Sequence, residues 1–174
     1  QIAFLLYGAY LGFANMPNKT LNELDTKFAT ASAGKAFVPA GIMKLIENGK
    51  LSLQTCIGEV LNFDLRKIDP SITVRQLLNH TSGIPDYFDE SVIHDYSELF
   101  KDYPNYKIRT SKDLLPLFID KPMMYSKGEK FKYNNTGYVV LGLIIEEITG
   151  EPFDAYLDSA VFKPLKMTGT GYYE

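Results

Sequence analysis

The sequence predicts an α+β protein, a mainly helical body with strand material at its N-terminal end, and three observations carry that expectation. The opening stretch QIAFLLYGAYLGFAN is rich in β-branched and aromatic residues and holds Gly8 and Gly12, a composition suited to a sheet covered on both faces. Two long apolar runs, residues 32–48 and 138–148, each stop at or near a glycine and read as buried helices. A last stretch, opened by Pro152, carries Phe153, Tyr156, Leu157, Ala160 and Val161 at helical spacing. On this reading residues 1–30 supply the N-terminal strands and a turn, and residues 31–174 the helical part. A chain of 174 residues suits one domain that buries roughly 70% of its unfolded surface.

Taken in order, the first fifteen residues resemble the apolar centre of a signal peptide, but no Lys or Arg precedes them and the chain starts with Gln. They are too short to span a bilayer, and no turn signal lies between Ile2 and Phe13 to make a hairpin. One long bent strand, or residues missing from this stretch, are the two readings. A turn-like polar segment, NMPNKTLNELDTK, follows. The helix from Ser32 to Asn48 is apolar on nearly every side, with Gly49 placed as a left-handed cap; Pro39, past the first turn, is expected to bend it or remove one backbone hydrogen bond. Thr73 can cap a short helix, Val74 to Leu78, leading into the structured loop NHTSGIPDY. Residues 90–104 give a weak helical hint. Thr110 or Ser111 starts another helix with Leu114, Leu115, Leu117 and Phe118, and DKPMMYSKGEK breaks the periodicity. Glu146 and Glu147, the only charges of the second buried run, are expected to be solvated at its end. No repeat or low-complexity segment is present.

Composition excludes several classes of function. Eighteen Lys plus Arg against 21 Asp plus Glu give a formal charge of -3, and no basic run marks a nucleic-acid face. The single cysteine, Cys56, allows neither an intrachain disulfide nor a Cys-based zinc site and reads as a small buried hydrophobe. His80 and His94 lack metal-binding spacing, so no metal is expected. Tyr87, Phe88, Tyr103, Tyr106 and Tyr125 suit cleft walls or core packing equally.

Candidate chemistry starts at TASAGKAFVPAG, where Ser32 is the only serine with lysine three places on. Residues three apart on a helix share a face, about 5–6 Å between β-carbons, so Ser32 and Lys35 would stand together at the first turn. A lysine in low-polarity surroundings loses preference for its charged form, and a neutral amine can accept a serine proton. The helix N-terminus favours the negative charge that develops as serine attacks a carbonyl. The plainer reading is a polar start to an apolar helix, and S-x-x-K alone does not decide. A second motif, Tyr133-Asn134-Asn135, sits directly before the second buried helix, where a phenol could relay a proton and an amide could orient both lysine and substrate. The same spacing at Tyr103-Pro104-Asn105 reads as a loop. His80 and Ser82 are too close in a turn to align for proton transfer, no G-x-S-x-G elbow is present, and side chains satisfying backbone groups are expected there.

The segments ATASAGKAFVPAGIMKLIENGKLSL, ITVRQLLNHTSGIPDY and GEKFKYNNTGYVVLGLIIEEITGEPFDAYLDSAVFKPLKMTGTGY together resemble the serine β-lactamase and penicillin-binding-protein superfamily. The pattern is closest to its class C-like branch, with β-lactamase-related serine hydrolases, D-alanyl-D-alanine carboxypeptidases and esterases. The resemblance implies the β-lactamase/transpeptidase-like fold, its N-terminal strands belonging to an antiparallel sheet. It also implies Ser32 as acylated nucleophile, Lys35 as base partner, and Tyr133 with Asn135 as the second catalytic element, Tyr-x-Asn standing where class A enzymes have S-D-N. Either Lys35 or Tyr133 would take the proton. Asn135 would also bind substrate, and the Ser32 backbone N–H would donate to the oxyanion. Substrates would be β-lactams, D-Ala-D-Ala peptides or small esters, without cofactor, in the bacterial cell envelope or exterior; a non-catalytic binding or sensor domain of the same fold is the alternative, and a structural piece with a merely capped helix is a third.

A third element, Lys or His followed by Thr or Ser and Gly on a strand, is implied well after Tyr133. Lys166-Met-Thr-Gly169 is one residue too long and follows a helix, so it is set aside as a loop. The remaining strands, a C-terminal helix and one oxyanion donor are expected beyond residue 174, and these residues alone are expected to have little or no activity.

Overall fold

The computed structural model describes residues 11–93, 95–101 and 103–172. Residues 1–10 and His94 lie outside them, so the reading of the opening stretch bears only on its last few residues. There, β1 (Phe13–Asn15) pairs antiparallel with β2 (Thr20–Leu21), Phe13 opposite Leu21 and Asn15 opposite Thr20. The turn between them falls in the polar segment expected to hold one, and Asn15 Oδ1 accepts the N–H of Asn18 at 3.0 Å. Phe13, Met16, Leu21, Leu24 and Phe28 are all exposed.

The first helical run differs from expectation at its start. Residues Ala31–Ala36 form 3-10 turns, and the α-helix proper, α1, spans Phe37–Glu47. Pro39 therefore falls in the first turn of α1, where its missing N–H has no intrahelical partner to lose. The predicted kink is replaced by a change of helix type upstream. Nor is α1 apolar all round in its surroundings: Val38, Gly41, Ile42 and Leu45 form a buried stripe, while Met43 and Lys44 face solvent. Gly49 ends it with φ +67°.

Two short helices follow. α2 (Ile57–Val60), only four residues long, was not expected from the sequence; Glu59 Oε1 accepts the Cys56 N–H at 3.3 Å at its start. Cys56, just before it, is half-exposed, a correction to the buried reading, because it serves as the cap position of α2 and its neighbours Thr55 and Ile57 hydrogen-bond across to residues 72–74. α3 (Val74–Leu78) has the expected boundaries, and Thr73 Oγ1 accepts the N–H of Gln76 at 3.3 Å while Gln76 Oε1 accepts the N–H of Thr73 at 3.0 Å, a reciprocal cap. The weak hint at 90–104 resolves to one turn, α4 (Tyr96–Leu99), and Asn105–Lys107 is 3-10. The helix expected from Ser111 forms as 3-10 turns over Ser111–Leu117, with Pro116 inside and Asp113 capping its start.

The core is organised around α5 (Thr136–Thr149), which ends at Gly150 with φ +72°. It packs against α1, α2, α3, α6 (Phe153–Leu157) and the Ser111–Leu117 turns. Val140, Leu141, Leu143, Ile144 and Ile145 are buried, each worth about 1.5–3 kcal/mol relative to exposure. Pro152 precedes α6, which runs on into a π-helical stretch, Asp158–Phe162. Phe162 meets Phe37 edge-to-face at 5.0 Å between centroids. α1 and α6 approach closely at Gly41: a β-carbon there would lie 2.5 Å from Leu157 Cδ2.

Glu146 and Glu147 are not solvated as expected. Glu146 accepts from the Ser111 hydroxyl at 3.1 Å and the Phe153 N–H at 3.4 Å, and Glu147 pairs with Lys112 at 3.1 Å with its side chain 12% exposed. They bind the last turn of α5 to its neighbours, because the helix packs on both sides up to its end. Lys166–Gly169 lies in turns, with Lys166 N–H on Lys163 O and Met167 N–H on Phe162 O, consistent with the loop reading. No helix among the described residues is long and apolar enough to cross a membrane.

Candidate active site

Ser32 and Lys35 sit one 3-10 turn apart in the segment that leads into α1, and Asn135 stands at the residue just before α5, far along the chain. The Lys35 ammonium donates to Ser32 Oγ at 3.0 Å and to Asn135 Oδ1 at 2.9 Å. One side chain thus joins residues 100 positions apart. Ser32 is exposed and Lys35 half-buried. The residue before the serine, Ala31, takes a left-handed φ of +45°, a conformation costly for a residue with a β-carbon and concentrated at functional sites. The first backbone bond of the turn runs from Ala33 N–H to Thr30 O at 3.0 Å, so the helix ladder begins after Ser32 and leaves its N–H outside it.

Tyr133 is brought to the same place by its ring. Lys35 Nζ lies 5.2 Å from the ring centroid, within cation–π range. The Tyr133 hydroxyl is shielded from solvent and has no hydrogen-bond partner among the described residues. The geometry therefore links Ser32, Lys35 and Asn135 by hydrogen bonds and adds Tyr133 by packing.

Asn135 is held by a residue that sequence reasoning passed over. Asp86, 8% exposed, lies in the NHTSGIPDY loop. Its Oδ2 accepts the Asn135 N–H at 2.9 Å and the Asn135 Nδ2 at 3.4 Å, and its Oδ1 accepts the Thr136 N–H at 3.1 Å. The carboxylate thereby covers the open N–H groups at the start of α5, where a negative charge is favoured. The Asn135 amide also donates to Phe88 O at 2.9 Å, which fixes Nδ2 toward the loop and Oδ1 toward Lys35. Burial pushes the Asp86 carboxyl above its ordinary value, and the N–H groups of Asn135, Thr136 and Phe88 pull it back. The only sequence signal for this role was an aspartate in a turn-rich segment of a chain with many aspartates.

The other sequence candidates separate cleanly. The His80 Nδ1 accepts the Asn134 N–H at 3.1 Å, and Ser82 Oγ accepts the Ile84 N–H at 3.4 Å, so each satisfies a backbone group. Tyr103 donates its hydroxyl to Asp113 O at 2.7 Å, leaving the second Tyr-x-Asn as a loop fastening. Phe88 is buried, Tyr106 is exposed, and Tyr87 and Tyr125 are half-buried. A groove of about 420 Å³ is lined by Phe63, Arg66, Leu115 and Asp120 among others and includes none of the four candidate residues.

The chain is similar to known proteins. Among curated relatives, a penicillin-binding protein of Bacillus subtilis (strain 168) is 30% identical over 172 residues, 97% of this chain and 36% of its own length. Protein flp of Staphylococcus aureus (strain NCTC 8325 / PS 47) is 30% identical over 166 residues, 92% of this chain and 31% of its own. The chain therefore spans about a third of these relatives. Among solved structures, a penicillin binding protein from Bacillus halodurans superimposes with TM-score 0.89 at 43% identity, covering 95% of this chain and 49% of that one. A D-amino acid amidase from Ochrobactrum anthropi SV3, crystallised with L-phenylalanine, does so with TM-score 0.70 at 29% identity, covering 89% and 42%. The fold is β-lactamase/transpeptidase-like, mostly helical here with a small two-stranded antiparallel sheet. With residues 5–174 matching the profile of the family described as Beta-lactamase, the chain belongs to the Beta-lactamase family, within the superfamily of serine β-lactamases and penicillin-binding proteins.

Proposed function

We propose that the protein is a serine acyl hydrolase or transferase that works through an acyl-enzyme on β-lactams, D-Ala-D-Ala peptides or small esters. The observation that carries this reading is the placement of Lys35 Nζ between Ser32 Oγ at 3.0 Å and Asn135 Oδ1 at 2.9 Å. That is the reach at which a proton passes between serine and amine.

In the proposed reaction the Ser32 hydroxyl gives its proton to the free amine of Lys35 or to a Tyr133 phenolate as Oγ attacks the substrate carbonyl carbon. The carbonyl oxygen takes the electron pair and meets the Ser32 N–H as one oxyanion donor. Collapse expels the leaving amine or alkoxide, which takes the proton back, and Ser32 is left acylated. Water or an acceptor amine attacks the ester in turn and frees the serine. Asn135, held through Asp86 and Phe88 O, orients Lys35 through its Oδ1. The penicillin-binding relatives and the amidase of similar fold support amide-like substrates and a setting in the bacterial cell envelope.

The Tyr133 hydroxyl, without a hydrogen-bond partner among the described residues, favours a second reading, a penicillin-binding or sensor domain that acylates without turnover. Incubating the full-length protein with a fluorescent penicillin and following Ser32 by mass spectrometry separates the two. A transient adduct with released product is expected. A persistent adduct selects the sensor, and no adduct, together with ester hydrolysis unchanged in Ser32→Ala, rules out both.

A further inference from the structure

We propose that His80 is a positioning residue for Tyr133, gripping the chain on both sides of it while packing against its ring. This rests on the reading of Tyr133 as part of the catalytic apparatus. The His80 carbonyl accepts the Lys132 N–H at 3.0 Å, and its Nδ1 accepts the Asn134 N–H at 3.1 Å. The two N–H groups flanking Tyr133 are therefore held by one residue. The imidazole also lies 4.8 Å from the Tyr133 ring, tilted 35°, and stacks on Tyr138 at 5.1 Å and 22°. Phe131 meets it edge-on at 5.9 Å. Tyr138 is in turn tied to the end of α3 by its hydroxyl on Leu78 O at 3.2 Å.

Backbone geometry makes this double grip possible. His80 sits at φ +59°, a left-handed conformation in which histidine is enriched among side chains that tolerate it. The next residues continue the clasp: Thr81 O accepts the Gly128 N–H at 2.7 Å and Gly83 O the Met124 N–H at 2.9 Å. An imidazole fits the position for three reasons. It is flat enough to stack between neighbours, it offers an acceptor at Nδ1, and it must be neutral to do so, since a protonated ring has no lone pair there. The charged groups facing it are Lys35 and Asp86, and the titratable rings are Tyr133 and Tyr138. Burial first, then the Lys35 charge, push the imidazole below its ordinary value, which keeps the acceptor in place at neutral pH.

Asparagine carries its Oδ1 at the same distance along the side chain as Nδ1 and tolerates a left-handed φ, so His80→Asn keeps the acceptor without a titrating group, whereas His80→Ala removes acceptor and ring. The test measures kcat and KM of the full-length protein for p-nitrophenyl acetate from pH 5 to 8, in the wild type, H80A, H80N, Y133F and H80A/Y133F. H80A should lower kcat about 10- to 100-fold with KM within about threefold, the signature of misplacement and not of lost binding. The double variant should be no slower than Y133F within about twofold, because the two changes act through one group. H80N should recover most of kcat and lose the part of the acid-side decline that follows protonation of the imidazole, which sets in below the ordinary histidine value. H80A within twofold of wild type, or losses that multiply in the double variant, would overturn the proposal. If Y133F itself keeps full kcat, the reading of Tyr133 falls instead, an outcome separate from an impaired Y133F beside an unimpaired H80A. Should H80A not fold, the H80N pH profile decides alone: an acid limb unchanged from that of the wild type defeats the proposal.

Discussion

A single carboxylate decides how Asn135 is presented. Because Asp86 accepts both from the Asn135 backbone and from its amide nitrogen, the amide cannot turn over without setting acceptor against acceptor. Replacing Asp86 with Asn keeps the shape and puts an NH₂ where N–H groups already point. Such a change should cost about 1–3 kcal/mol of stability, the penalty of buried donors left unmet, read as a lower urea midpoint. It should also slow Ser32 acylation by freeing the amide to rotate away from Lys35. A D86N protein that melts and acylates like the wild type would remove Asp86 from the site. None of this was legible in the sequence, since an aspartate beside proline is what any turn contains. Ser32, Lys35 and Asn135 were legible because local spacing set the first two together and the second motif stood directly before an apolar helix. Distance along the chain hides the partner that orients them.

At the scale of elements, helices whose ends carry their own chemistry were readable and those whose ends do not were missed. α3 came out at its expected residues because Thr73 and Gln76 satisfy each other, and α5 because a long apolar run ends at Gly150. The 3-10 turns at Ala31–Ala36 and Ser111–Leu117 were read as α-helix, since the apolar spacing of three to four residues serves both and only tertiary packing separates them. Close contacts between elements give sharper tests. Gly83 has φ +69°, and a β-carbon there would lie 2.2 Å from the Tyr125 carbonyl oxygen. The obstacle is backbone, so Gly83→Ala should cost about 2–5 kcal/mol. Gly41→Ala meets the tip of Leu157 instead and should cost about 1–3 kcal/mol. Denaturation midpoints should rank wild type above G41A and G41A above G83A; the reverse order of the two variants would mean that the loop between α3 and α4 yields more readily than the α1–α6 contact.

For the whole molecule, proton linkage sets the acid limit of stability. His80 has its folded value pushed below the ordinary one, so the unfolded chain binds its proton first as pH falls. Its contribution is complete above about 6.5, the unfolded value, and is lost as pH drops from there through the folded value. Asp69 and Asp89, lowered by hydrogen bonds from Ser71 and Lys132 respectively, lose theirs only below about 4. Asp86, raised by burial, runs the other way, its contribution growing as pH falls through its folded value. Melting temperature should therefore decline in two stages, and His80→Asn should flatten the first; an H80N curve parallel to wild type from pH 7 to 5 would contradict this. Ala31 carries a left-handed turn that glycine would adopt freely, so Ala31→Gly should add about 0.5–1 kcal/mol net of the extra freedom of the unfolded chain. It would also slacken the backbone that aims the neighbouring hydroxyl. Heat tolerance and turnover thus pull this one position in opposite directions.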